Sequence, residues 1–133
     1  MATIPTVPLV YDAGALIAAE AGDRFMVGLH RRSIDRQRVT IVPSPALTQV
    51  WRGGGARQAR LAFLLRACVI HAPGEAVAKL AGTLLGRTGT SDAVDALVVA
   101  TAALVSAEIV TSDPRDLRVL IEATDRPISL IEV

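Results

Sequence analysis

The sequence predicts an α/β fold: one three-layer α/β/α domain spanning residues 1–133, with a mainly parallel sheet of about five strands. Three observations carry that expectation. Short apolar runs such as Val7 to Tyr11 are continuous rather than alternating, as in strands buried on both faces. Single helices or helix pairs separate these runs, so successive strands are joined by crossovers. The chain is 51% hydrophobic but only 3% aromatic, with mean hydropathy +0.44, which calls for a core of close-packed aliphatic layers. Its 133 residues suit one such core.

The elements follow in order. Val7 to Tyr11 is the first strand, Asp12 follows it, and the next eight residues, AGALIAAE, form a helix. A second helix runs from Arg24 to about Ile34, with Phe25, Leu29 and Met26 inward and the arginines outward. Val39 to Val42 is a strand. The stretch PSPALTQVWRGG is a helix in which Ser44 caps, Pro45 takes the first helical position and the glycines from Gly53 end it. Ala56 to Ala67 is a helix with Leu61, Leu64 and Leu65 on one face; Cys68 to His71 is a strand, and Gly74 to Leu85 a helix. After the loop GRTGT, an apolar helix starts at about Asp92. Glu108 to Thr111, Pro114 to Ala123 and Ile128 to Ile131 complete the chain as strand, helix and strand.

The lone cysteine, Cys68, excludes an internal disulfide and sits among apolar neighbours, as a core residue would. The N-terminal MATIPTVPLVYD has neither a basic segment nor a long apolar one, and no apolar run approaches a membrane span. A cytoplasmic protein with no membrane partner is expected. From Arg24 to Arg66 there are nine arginines against one acid, Asp35, a net +8 in a chain of net +1. Such a section suits contact with a polyanion, although solvated helix faces in an arginine-rich chain explain it equally well.

The acids carry more information. Asp12 and Asp113 each follow a strand directly, at the strand's carboxyl end, where open parallel sheets bind ligands. Asp92 and Asp95 open the apolar helix three residues apart and so share a face; Asp116 stands three beyond Asp113. Taken singly, Asp12 and Asp113 are explained as helix caps and Asp92 as a first-turn acid that complements the helix dipole. Asp95 lies beyond the cap, ahead of the apolar ALVVATAALV, with no Lys or Arg near it in sequence. Carboxylates gathered at one sheet edge repel unless a cation sits among them, and a hard divalent ion, Mg²⁺ or Mn²⁺, fits oxygen donors. His30 and His71 lack zinc-like spacing. A carboxylate-held divalent ion beside a basic surface suits phosphodiester hydrolysis.

The stretches LVYDAGALIA, VPSPALTQVWRG, DALVVATAAL and IVTSDPRDL, in this order and spacing over nearly the whole chain, resemble the PIN-domain ribonucleases, and among them the VapC toxins of bacterial type II toxin–antitoxin pairs. The resemblance implies a single PIN-like domain and a Mg²⁺- or Mn²⁺-dependent endoribonuclease acting on structured RNA (tRNA, rRNA or mRNA). It also implies neutralisation by a cognate VapB-like antitoxin, and a homodimer. It makes Asp12, Asp95 and Asp113 the catalytic metal ligands, with Asp92 and Asp116 as accessory acids. Gln49 stands where the family generally has a glutamate. The amide can still ligate an ion or orient its water, or it can mark a catalytically impaired module that acts by binding RNA or antitoxin. Thr111 and Ser112 are candidates to support the acids. Arg52, Arg57, Arg60 and Arg115 are candidates for RNA or antitoxin contact. Trp51 is expected to anchor a core or interface, and GGG at 53–55 is a flexible helix stop, since it lacks the lysine of a phosphate-binding loop. A receiver-like phospho-acceptor domain also clusters aspartates, but the only lysine, Lys79, is not near the C-terminal strand.

Overall fold

The computed structural model describes residues 6–133, so the N-terminal leader expectation lies partly outside the described residues. In chain order the elements are β1 Leu9–Tyr11, α1 Ala13–Glu20, α2 Arg24–Asp35, β2 Thr40–Pro43, α3 Ser44–Val50, a 3₁₀ turn at Ala56–Gln58, α4 Ala59–Leu65, β3 Val69–His71, α5 Glu75–Thr88, α6 Ala93–Val105, β4 Glu108–Thr111, α7 Pro114–Ala123 and β5 Leu130–Glu132. All strand pairs are parallel, in the order β3-β2-β1-β4-β5. Chain order reverses between β1 and β4, so their carboxyl ends flank the switch point of the sheet.

Both faces of the sheet are covered. Leu9, Tyr11, Val42 and Val110 pack with α1, α2 and α4 on one side. Val10, Ile41 and Ile109 pack with α5, α6 and α7 on the other. The period of two is therefore present, but both sides are apolar and the sequence shows only a continuous run. Helix α3 sits across the two layers: Ala46 belongs to the second core and Val50 to the first. An ion pair between Arg38 and Glu108, at 2.8 Å, ties the segment before β2 to the start of β4.

Several boundaries and faces differ from expectation, each for a local reason. Asp23 caps α2 by accepting from the Met26 N–H at 2.8 Å, and Met26, Leu29, His30 and Ser33 form the buried stripe. Phe25 falls outside that stripe and is exposed rather than inward. The Tyr11 hydroxyl meets His30 Nδ1 at 2.8 Å beneath it. Ser44 does not cap α3: β2 runs directly into the helix, Pro43 takes the capping position, and the Ser44 carbonyl accepts from the Thr48 hydroxyl. The helix ends at Val50, before the glycines, and α4 is shorter than expected because its first turn is 3₁₀. Helix α5 continues through Gly86 to Thr88 and stops at Gly89, whose φ of 69° is the left-handed cap conformation. Strand β3 is an edge strand with Val69 and Ile70 exposed, and Cys68 beside it is half-buried rather than fully in the core. Trp51 is 39% exposed, so it is not a core anchor.

Among the described residues no single helix is long and apolar enough to cross a membrane. Helix α6, the most apolar, has seven buried residues and packs on α5, α7 and the sheet.

The central sheet should dominate stability. Ile109→Ala, at a fully buried position, is expected to cost about 2–5 kcal/mol in urea unfolding, whereas Phe63→Ala, at an exposed one, should stay within about 0.5 kcal/mol.

Candidate metal centre

At the switch point the carboxyl ends of β1 and β4 lie side by side, and each is followed at once by an aspartate and a helix. Asp12 caps α1, its Oδ1 accepting from the Ala15 N–H at 2.9 Å. It is 7% exposed, and the Thr111 hydroxyl and the Gly14 N–H act to lower its pKa against burial. Thr111 is fully buried at the end of β4, and its Oγ1 accepts from the Asp113 N–H at 3.0 Å. Gly14 permits this closeness: a Cβ there would stand 3.1 Å from the Ser112 nitrogen and nearer still to its Oγ.

Asp113 occupies the capping position of α7 but its side chain caps nothing, so the capping account of it fails and its carboxylate is left exposed. Asp92, by contrast, is the N-cap of α6 rather than a first-turn residue: its Oδ1 accepts from the Asp95 N–H at 3.0 Å. Asp95 lies in the first turn of α6, half-buried. It lines a cavity of about 310 Å³ with Thr90, Ser91, Asp92, Asp116, Val119 and Leu120. Asp116, in the first turn of α7, closes that cavity from the other helix.

The electrostatics are those of crowded anions. Burial first, and then the charges of Asp92, Asp12, Asp116 and Asp113, push the Asp95 carboxyl up to about 6. Burial likewise raises Asp12, against the lowering effect of its hydrogen bonds to Thr111, Ala15 and Gly14. Among the described residues the ion pairs are Arg38–Glu108 and Lys79–Glu75, so no arginine or lysine is paired with these aspartates. A hard divalent cation fits this donor set, which is all carboxylate oxygen and lacks a positive partner. Among the described residues, however, no three acidic, imidazole or thiol groups already stand close enough to grip one ion. The acids are gathered around Asp95 but not closed on a single point.

The remaining candidates divide. Gln49 is exposed on α3, which packs against α1 and α6. Ser112 is exposed beside Gly14. Arg52 is folded back, its guanidinium donating to the carbonyls of Thr48, Gln49 and Trp51, and Arg60 lies over Gly22. Arg57 and Arg115 are exposed. Two features carried no signal in the sequence: the need for glycine at position 14, and Gln58, which is 4% exposed and hydrogen-bonded on both ends of its amide.

No protein-family model matches the sequence, and no curated protein matches it. Solved structures do match the fold. VapBC2 from Rickettsia felis, bound to a DNA fragment from its promoter, aligns with a TM-score of 0.71 at 14% identity, over 94% of this chain and 98% of that one. A toxin–antitoxin complex from Klebsiella pneumoniae aligns at 0.64 and 19% identity, over 81% and 88%. PAE2754 from Pyrobaculum aerophilum aligns at 0.61 and 18% identity, over 92% and 83%. The α/β domain described above is PIN-like in fold.

The raised Asp95 has a pH signature. Its folded value near 6 lies above the ordinary 3.8, so the fold favours the protonated form; that stabilisation is complete below about pH 4 and lost as pH rises through 6. In EDTA, Asp95→Asn should therefore melt higher than the wild type above pH 6, with the gain disappearing below pH 4.

Proposed function

We propose that this chain, with its PIN-like fold, is the toxin of a type II toxin–antitoxin pair and acts as a Mg²⁺- or Mn²⁺-dependent endoribonuclease on structured RNA. The observation that carries the reading is the convergence of Asp12, Asp95, Asp113 and Asp116 at the switch point of the sheet with no cationic side chain among them. Asp12, Asp95 and Asp113 would hold the ion, and Asp92, Asp116 and Gln49 would orient its waters. Bound there, the ion would lower the pKa of water and neutralise charge on the scissile phosphate.

The chain's own residues supply the setting. The Ala15 N–H fixes the orientation of Asp12, and Asp92 holds the first turn of α6 that carries Asp95. Cys68, just before β3, does not line the Asp95 cavity, and burial pushes its thiol up. Among the described residues the hydroxyls near the acids, Ser91 and Ser112, have no imidazole or lysine base hydrogen-bonded to them, so displacement by water is the step proposed. The exposed Arg57 and Arg115 are free to meet phosphates, whereas Arg52 is engaged with α3.

An antitoxin partner has physical support in a groove of about 500 Å³ between α2 and α4, mostly apolar, with Val27, Ile34 and Phe63 on its walls and Arg31, Asp35 and Arg60 at its rim. Phe63 is 74% exposed there. A homodimer has support in the exposed Val69 and Ile70 of edge strand β3. A second reading, an impaired module that binds without cutting, is favoured by Gln49 and by the acids not being closed on one point.

Incubation of the purified protein with total RNA decides between them. Cleavage is expected with Mg²⁺ or Mn²⁺ and not in EDTA; Asp12→Asn and Asp95→Asn should reduce it to background, while Glu122→Gln, exposed near the far end of α7, should leave it unchanged. Undiminished cutting by the two Asn variants overturns the site assignment. No Mn²⁺ binding by calorimetry in the micromolar to millimolar range selects the second reading. Phe63→Ser should leave cutting intact and weaken neutralisation by the cognate antitoxin.

A further inference from the structure

The groove between α2 and α4 is apolar except at one point of its floor. Ala19 and Leu64 are buried beneath it, and Val27, Ile34 and Phe63 form its walls. Among them stands His30, a polar side chain only 9% exposed, on the buried stripe of α2. Its ring meets that of Tyr11 edge-on, with the centroids 5.7 Å apart.

Two observations fix which nitrogen carries the proton. Burial lowers the pKa of His30, so the imidazole is neutral and has a single N–H. Its Nδ1 lies 2.8 Å from the hydroxyl of Tyr11, which is fully buried, is kept protonated by that burial, and has no other hydrogen bond among the described residues. The phenol donates to Nδ1, because the reverse polarity would strand its proton in an aliphatic core. The imidazole proton therefore sits on Nε2. That nitrogen has no partner among the described residues, yet it is not sealed in the core, where His71 Nδ1 is the one unpartnered side-chain atom. It opens on the groove that His30 lines.

A donor facing into an apolar groove restricts what can cover it. An apolar side chain pressed onto Nε2–H would leave a buried donor unpaired, whereas an acceptor completes it. The rim chooses among acceptors. Arg31 and Arg60 stand there against a single acid, Asp35, and among the described residues neither arginine is in an ion pair. A carboxylate satisfies both the donor on the floor and the charge at the rim.

We propose that His30 is the specificity-determining donor of this groove: its Nε2–H selects a partner segment that sets one carboxylate among apolar side chains. That the segment belongs to an antitoxin rests on the reading above. The preference for a carboxylate does not, since His30, Arg31 and Arg60 set it.

The test is NMR of the full chain with isotope-labelled histidine. Phenylbutyrate is the probe, and phenylbutylamine, the same apolar body ending in an ammonium, is its counterpart. The free protein should show His30 as the Nε2–H tautomer. Phenylbutyrate should shift the His30 Nε2–H and the Phe63 ring together, and should bind at least roughly 10-fold more tightly than phenylbutylamine, the ratio expected for one hydrogen bond to a charged group. His30→Phe, which keeps a ring and loses the donor, should weaken phenylbutyrate roughly 10-fold and leave phenylbutylamine unchanged, with thermal melts to establish that it is folded. If it does not fold, Arg31→Gln combined with Arg60→Gln, both exposed, should weaken phenylbutyrate while leaving the tautomer unchanged. An Nδ1–H tautomer, equal affinity for the two probes, or no loss in folded His30→Phe overturns the inference. Phe63 shifts that follow protein concentration without any probe mark a second copy in the groove and overturn it too. With the cognate antitoxin bound, the Nε2–H should move downfield. A complex in which it does not move overturns the inference alone, and failure to form any complex overturns the toxin–antitoxin reading and removes the antitoxin as occupant.

Discussion

A sheet buried on both faces leaves charged side chains no place along its strands, because a carboxylate in either layer would lose water without gaining a partner. In β1 all three residues are fully buried, and in β4 the last three are. Charge is therefore displaced to the strand ends. The parallel arrangement puts all carboxyl ends on one side, and the strand order puts those of β1 and β4 next to each other. Two acids distant in sequence, Asp12 and Asp113, become neighbours as a consequence of how the apolar layers close.

That proximity is costly unless the acids are held and compensated. The holding differs from acid to acid. Asp12 has hydrogen bonds from Ala15, Gly14 and Thr111 that offset part of its burial. Asp95 has no such donors, and four neighbouring charges add to its desolvation. The pair Asp92 and Asp95 divides the labour at the start of α6: the first uses a carboxylate oxygen to cap the helix, and the second is left with its carboxylate unpaired beside the cavity. Thr111, uncharged and fully buried, accepts from the backbone of Asp113, and the parallel pairing of β1 with β4 holds that strand end beside Asp12.

Helix α3 is held differently. Where β1 and β4 are fixed by sheet hydrogen bonds and aliphatic packing, α3 is short, spans both cores through Ala46 and Val50, and leads into three glycines in the left-handed region. Its carbonyl end is held by polar side chains, chiefly Gln58 and Arg52. An arginine that in sequence belongs to a basic, polyanion-suited section is thereby committed to the protein's own carbonyls. Arg38, paired with Glu108, is another.

The sequence by itself determined the layer order, the number of strands and the candidate acids, because these depend on local patterns: apolar runs, helical spacing and acids placed directly after strands. The resemblance of its motifs pointed to the same fold. It misplaced Phe25 and Ser44 because the face of α2 depends on where the Asp23 cap starts the helix, and the start of α3 on β2 running into it without a linker. Only the tertiary structure decided that Asp113 caps nothing, that Gly14 has no room for a side chain beside Ser112, and that Gln58 joins α1 to α3. Those facts are set by contacts between residues up to about a hundred positions apart, and a pattern read along the chain carries no record of which ends meet in space.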